Sequence, residues 1–141
     1  MTLRPEIIFN SGFPDDAVYD GDGFVDIQPG RNVAQTLRAA LTQLDYRVSD
    51  PINGGDHGWE LDIWRGRKRL WLQISVIGDD ENYLLAENMT LWFWPDQKLF
   101  RTFLSDLKSV LDADSRFGRI GWLPKGGITR GLAPAAGPFD A

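Results

Sequence analysis

Residues 59–64, 70–76 and 89–94 each alternate large apolar side chains with a second, mixed set. A period of two is the signature of a strand, because successive side chains leave a strand on opposite faces. One face collects Trp59, Leu61, Ile63, Leu70, Leu72, Ile74, Val76, Met89, Leu91 and Phe93, which reads as a core. The other collects Glu60, Asp62, Trp64, Trp71, Gln73, Ser75, Thr90, Trp92 and Trp94. Four indoles beside two carboxylates must either be covered by the chain itself or meet another molecule.

Two segments carry helical spacing instead. Val33, Leu37, Leu41 and Leu44 form a stripe that predicts a helix over 32–45, with Asn32 as N-cap and Gln35 at the capping-box position. Leu99, Phe100, Phe103, Leu104, Leu107, Val110 and Leu111 form a second stripe over 96–112, with Asp96 as N-cap. Short strands are expected at 7–9, 23–27, 46–49 and 119–123, and 83–85 extends or interrupts the sheet. Arg65-Gly66-Arg67-Lys68-Arg69 joins two of the long runs as a hairpin tip, and Asp79-Asp80-Glu81-Asn82 reads as a polar connection.

Strands joined by short turns form an antiparallel meander, and two helices with one apolar stripe each cover one of its faces. The expected fold is therefore α+β: a two-layer sandwich with a mainly antiparallel sheet of about five strands and two helices on one side. One domain is expected over 1–123, opening with an irregular acidic segment at 1–23. The Gly-, Ala- and Pro-rich residues 124–141 read as a flexible tail. At 141 residues the chain suits a single domain, which buries roughly 68% of its unfolded surface without staples.

Charge and composition narrow the partners. The net charge of −5 repels a polyanion and favours a basic protein. No apolar run reaches the ~20 residues that cross a bilayer, and the N-terminus lacks a signal-peptide pattern. With no cysteine present, thiolate metal sites and cysteine nucleophiles are excluded. These features point to a cytoplasmic, bacterial-type protein that meets neither nucleic acid nor membrane.

Candidate chemistry is sparse. Glu60 and Asp62 stand at i, i+2 on the indole face, roughly 7 Å apart along a strand, a spacing that a glycosidase acid–base pair uses. The competing reading pairs them with Arg67 or Arg69. His57 is the sole histidine and sits in a Gly-rich loop; Ser49 or Ser75 would be its nucleophile, without any nucleophile-elbow pattern. A single histidine does not build a zinc site. Asp20-Gly21-Asp22-Gly23 fails the EF-hand pattern at its fifth, sixth and twelfth positions, which are Phe24, Val25 and Arg31. No metal and no cofactor is expected.

The function expected from these residues is protein binding without catalysis, through Glu60, Asp62, Trp64, Trp71, Gln73, Trp92 and Trp94. A toxin-neutralising immunity protein, or a similar inhibitor or adaptor, is the concrete version, by analogy of class alone. The alternatives are a hydrolase using Glu60 and Asp62 with His57 as a further candidate, and a carbohydrate-binding module stacking sugars on the indoles. The indole face would equally serve as the seam of a homodimer.

Overall fold

A computed structural model describes residues 2–91 and 93–140 of the chain. Its elements run β1 (Glu6–Ser11), β2 (Val18–Tyr19), β3 (Val25–Ile27), α1 (Arg31–Gln43), β4 (Arg47–Val48), β5 (Ile52–Asn53), β6 (Trp59–Arg65), β7 (Lys68–Val76), β8 (Glu81–Asn88), α2 (Gln97–Ala113) and β9 (Phe117–Leu123). A short 3-10 turn covers Gly55–His57. The main sheet has the order β4-β6-β7-β8-β1-β9 with β5 also on β6, and every pairing in it is antiparallel. It holds seven strands rather than about five, because the segments around Val48 and Ile52 both join the β6 edge and residues 81–88 add a full strand. Strands β2 and β3 form a separate ribbon.

The alternation in β6 and β7 divides the sheet as the sequence implies, except at Val76, which ends β7 exposed rather than in the core. Leu61, Ile63, Leu70, Leu72 and Ile74 are fully buried, and Leu84, Ala86, Ile7 and Phe9 continue the same face across β8 and β1. The α1 stripe of Val33, Ala34, Leu37 and Leu41 joins them in one core with the α2 stripe of Phe100, Phe103, Leu104, Leu107 and Leu111. Between the helices, Tyr46 packs edge-on to Phe103 and its hydroxyl donates to Asp106 over 2.7 Å. Burial, then the Asp106 carboxylate, pushes the Tyr46 hydroxyl well above the ordinary tyrosine range.

The β6–β7 turn is tight. Trp64 pairs with Arg69 and Arg65 with Lys68, leaving Gly66 and Arg67 as the loop. Gly66, with φ of 63°, takes the first loop position, where the turns that match strand twist need positive φ.

Among its described residues, the third alternating run is not a strand. The chain leaves β7 through Gly78-Asp79-Asp80, where Ile77 and Gly78 both donate to the Glu81 carbonyl. That short turn sets Asn82 opposite Val76 and Asn88 opposite Leu70, so residues 81–88 take the whole exposed edge of β7. Beyond Asn88 hardly any of β7 remains to pair with, since that strand begins at Lys68. The Asn88 side chain then accepts from both the backbone and hydroxyl of Thr90 and turns the chain outward. Met89, Leu91 and Phe93 are consequently exposed rather than core, and Trp94 is off the sheet.

One of the two expected helix caps is corrected. Asn32 does not cap α1 from the position before it; Gly30 takes that place. The cap comes from Asp16, whose two carboxylate oxygens each accept at 2.8 Å, one from the Gly30 backbone and one from the Asn32 backbone. Asp96 does cap α2, accepting from the Leu99 backbone over 2.9 Å.

Residues 124–140 are bound to the domain rather than trailing from it. Ala135 exchanges two backbone hydrogen bonds with Trp122 on the outer edge of β9, and Arg4 pairs with Asp140 at 2.7 Å. Glu6, only 3% exposed, accepts from the Gly126 backbone at 2.6 Å and the Ile128 backbone at 3.3 Å. Burial, followed by the Glu6 charge, raises the neighbouring Tyr83 hydroxyl above its usual range. Glu6→Ala removes the acceptor for both amides, which charge-assisted bonds make costly: about 3 kcal/mol in urea unfolding. The same change should speed trypsin cleavage at Lys125 and Arg130; unaltered cleavage would show that Glu6 does not hold this segment.

Candidate functional site

The outer face of β6 and β7 carries Glu60, Asp62 and Trp64 beside Arg69, Trp71, Gln73 and Ser75, all half-buried. Trp71 donates its indole N–H to Glu60 Oε1 over 2.9 Å, and Arg69 donates to Asp62 Oδ1 over 3.2 Å. The Arg47 guanidinium lies 4.6 Å from the Trp64 ring centroid, a cation–π arrangement. Gln73 bonds Ser75 Oγ and, at 3.3 Å, the His57 carbonyl. Each of these five sequence-predicted residues therefore has a partner within the chain. The carboxylates are tied to an indole and a guanidinium, the geometry of a cross-linked sheet face.

His57 is exposed in its 3-10 turn, and its contact with Ser75 runs from the Ser75 hydroxyl to the His57 main-chain oxygen at 2.6 Å. The hydroxyl proton is thus held by a carbonyl, which takes no proton, and not by the imidazole. Asp20 Oδ1 accepts from the backbones of Asp22 and Phe24 in a local turn. Among the described residues, no three histidine or carboxylate side chains gather to hold a metal ion.

The predicted indole set is divided. Trp64 and Trp71 share the sheet face, Trp94 stands on the loop after β8, and Trp92 lies outside the described residues. That loop forms a surface that alternation concealed. Leu91 is 53% exposed, Phe93 65% and Trp94 77%. Arg67, Lys68, Leu91, Trp94 and Pro95 line a groove of about 700 Å³ between the loop and the β6–β7 turn. A cluster of large apolar side chains in water on one loop is unusual for a folded monomer and marks interaction surfaces. The available clue was Asn88-Met89-Thr90, an asparagine placed to bond its own backbone two residues on.

The loop is anchored at its far end. Asp96 donates its backbone N–H to Thr90 Oγ1 at 2.7 Å, and its carboxylate pairs with Lys68. Searches against family models, curated proteins and solved structures find no match to this chain. No helix among the described residues is long and apolar enough to cross a membrane.

The Lys68 ammonium, with the Leu99 amide behind it, holds the Asp96 carboxyl below its ordinary value of 3.8. A depressed folded pKa contributes stability that is complete above the unfolded value and is lost as pH falls through the folded one. Lys68→Met should therefore raise the Asp96 pKa toward 3.8, read by NMR titration of its carboxyl carbon, and leave the unfolding midpoint at pH 7 nearly unchanged. An unmoved titration would remove Lys68 as the cause.

Proposed function

We propose that the protein is a non-enzymatic binding factor for a second, basic protein, a neutralising inhibitor or adaptor of the immunity-protein kind acting in the cytoplasm. The observation that carries this reading is the loop around Trp94, with Leu91, Phe93 and Trp94 more than half exposed together. Large aromatic and aliphatic side chains supply most of the affinity at protein interfaces when a partner desolvates them. We take the fold as a two-layer sandwich in which both helices share the aliphatic sheet face. That arrangement leaves the outer face of β6 and β7, its side chains paired with one another, to act as a polar rim. The rim and the loop are contiguous, because Arg67 of the β6–β7 turn and Lys68 at the start of β7 line the groove beside Trp94.

The charge supports a basic partner. A net charge of −5 draws an oppositely charged protein from a distance and speeds encounter at low salt. The internal pairing of Glu60 with Trp71 and of Asp62 with Arg69 weighs against a hydrolase, which needs those carboxylates facing substrate.

Trp94→Ala should weaken capture of the partner from the native host about 30-fold, the effect of an interface hot spot of ~2 kcal/mol. Its melting temperature should stay within about 2 °C of the parent, since little contact is lost on an exposed side chain. Undiminished capture would sink the proposed surface. A sedimentation experiment on the purified chain distinguishes the other occupant: a homodimer broken by Trp94→Ala would assign the loop to a second copy.

A further inference from the structure

The β2–β3 ribbon is an apolar surface that the core does not use. Every residue of both strands is exposed. Val18, Tyr19, Val25 and Ile27 stand in water on two strands that pair only with each other. Phe24, in the turn between them, is 72% exposed. A two-stranded ribbon is marginal on its own in water, and large apolar side chains gathered on it mark a surface that another molecule covers.

The ribbon is nevertheless fixed to the domain. At its roots, Asp16 accepts from the Gly30 and Asn32 backbones, and the Asn32 side-chain amide donates to the Pro14 carbonyl at 2.8 Å. The buried Trp59 donates its indole N–H to the Gln28 carbonyl at 2.9 Å. At its tip, Asp20 Oδ1 accepts from the backbones of Asp22 and Phe24, and the Asp20 backbone donates to the Phe24 carbonyl at 2.8 Å. Phe24 is thus carried on a hydrogen-bonded turn, so a partner would have little to order on arrival.

Charge says which partner. Residues 12–30 contain five aspartates, Asp15, Asp16, Asp20, Asp22 and Asp26, and no lysine, arginine or histidine. The rest of the chain holds fifteen acidic and fifteen basic side chains, so the whole net charge of −5 sits on this one segment. No ion pair among the described residues involves any of the five. A second copy would set five aspartates against five, and an anionic membrane or a nucleic acid is repelled in the same way. The groove beside Trp94 has Arg67 and Lys68 in its lining, so a basic partner is drawn to the ribbon and not to that groove.

We infer that the β2–β3 ribbon is a docking surface for a basic, apolar-faced segment of another protein. The segment sets its apolar side chains against those of the ribbon, Phe24 foremost, and its lysines or arginines against the exposed Asp20, Asp22 and Asp26. In the charge of the partner this rests on the function proposed above; its residues are separate from the Trp94 loop.

The test follows backbone amide shifts of the full chain by NMR with three matched blocked peptides. The first is built of three Lys-Leu-Leu-Lys repeats, the second of Lys-Ser-Ser-Lys repeats and the third of Glu-Leu-Leu-Glu repeats. The first should shift residues 18–27 with Kd on the order of 100 μM, as a small preformed surface allows. The second, equal in charge but without apolar side chains, should bind about tenfold more weakly or worse. The third should leave these residues unmoved.

Phe24→Ser should weaken the first peptide about tenfold with its melting temperature within about 2 °C of the parent, as befits an exposed side chain. Asp22→Asn/Asp26→Asn should weaken it about fivefold at low salt, a difference that closes at about 1 M salt, where the screening length falls to about 3 Å. Trp94→Ala should leave it intact. The inference is overturned by no shift at 18–27, by equal binding of the serine or glutamate peptide, or by unchanged affinity in either ribbon variant. Loss of binding in Trp94→Ala would move the basic segment to the loop, overturning this surface and keeping the other. A dimer of the purified chain that Phe24→Ser dissolves in sedimentation would give the ribbon to a second copy, and overturns the inference as well.

Discussion

Strand β7 is the member on which the rest is built. It pairs with β6 along one edge and with β8 along the other, and both connections are short enough to permit a single register. Leu70, Leu72 and Ile74 are thereby placed on the core side in the middle of the sheet, in one cluster with the apolar stripes of α1 and α2. Its nine-residue length also sets where order ends. Where β7 begins, at Lys68, the chain after β8 leaves the sheet, and Met89, Leu91, Phe93 and Trp94 are exposed. Where β7 stops at Val76, the turn that follows carries two exposed aspartates, Asp79 and Asp80.

The legible parts of the sequence were those governed by near neighbours along the chain. Leu61 and Ile63, or Phe103 and Leu107, reveal a strand and a helix by spacing alone, and Asp96 caps the helix that begins beside it. The illegible parts depend on long separations. The Asp16 cap of α1 comes from beyond the β2–β3 ribbon, and the docking of residues 124–140 rests on Glu6, some 120 positions earlier. Composition gave no hint of either, because glycine, alanine and proline look the same in a tail and in a strap laid over a sheet. The run 89–94 misled for a different reason. Alternation is necessary for a half-buried strand but does not create the partner strand that completes it.

Of the expected site, the sheet face survives as an arrangement and not as a free surface. Glu60, Asp62, Trp64, Trp71 and Gln73 do lie together, yet each is engaged by Trp71, Arg69, Arg47 or the His57–Ser75 turn. Side chains so paired stiffen the sheet and present a fixed pattern of charge. The molecule is thus divided along its strands: an apolar, partly basic end at Trp94 and Arg67, a cross-linked middle, and an acidic end at Asp79 and Asp80.

The margins of the sheet also constrain how anything can attach. On one side, β4 and β5 are two residues each, interrupted around Pro51. On the other, β9 is kinked at Arg119, whose φ is 49°, and Ala135 closes it at Trp122. Neither border offers a long, straight row of unsatisfied amides and carbonyls. A visitor could not lengthen this sheet by adding a strand of its own, the commonest backbone-driven mode of peptide capture. Any partner would have to be held by side chains, a contact open to tuning one residue at a time.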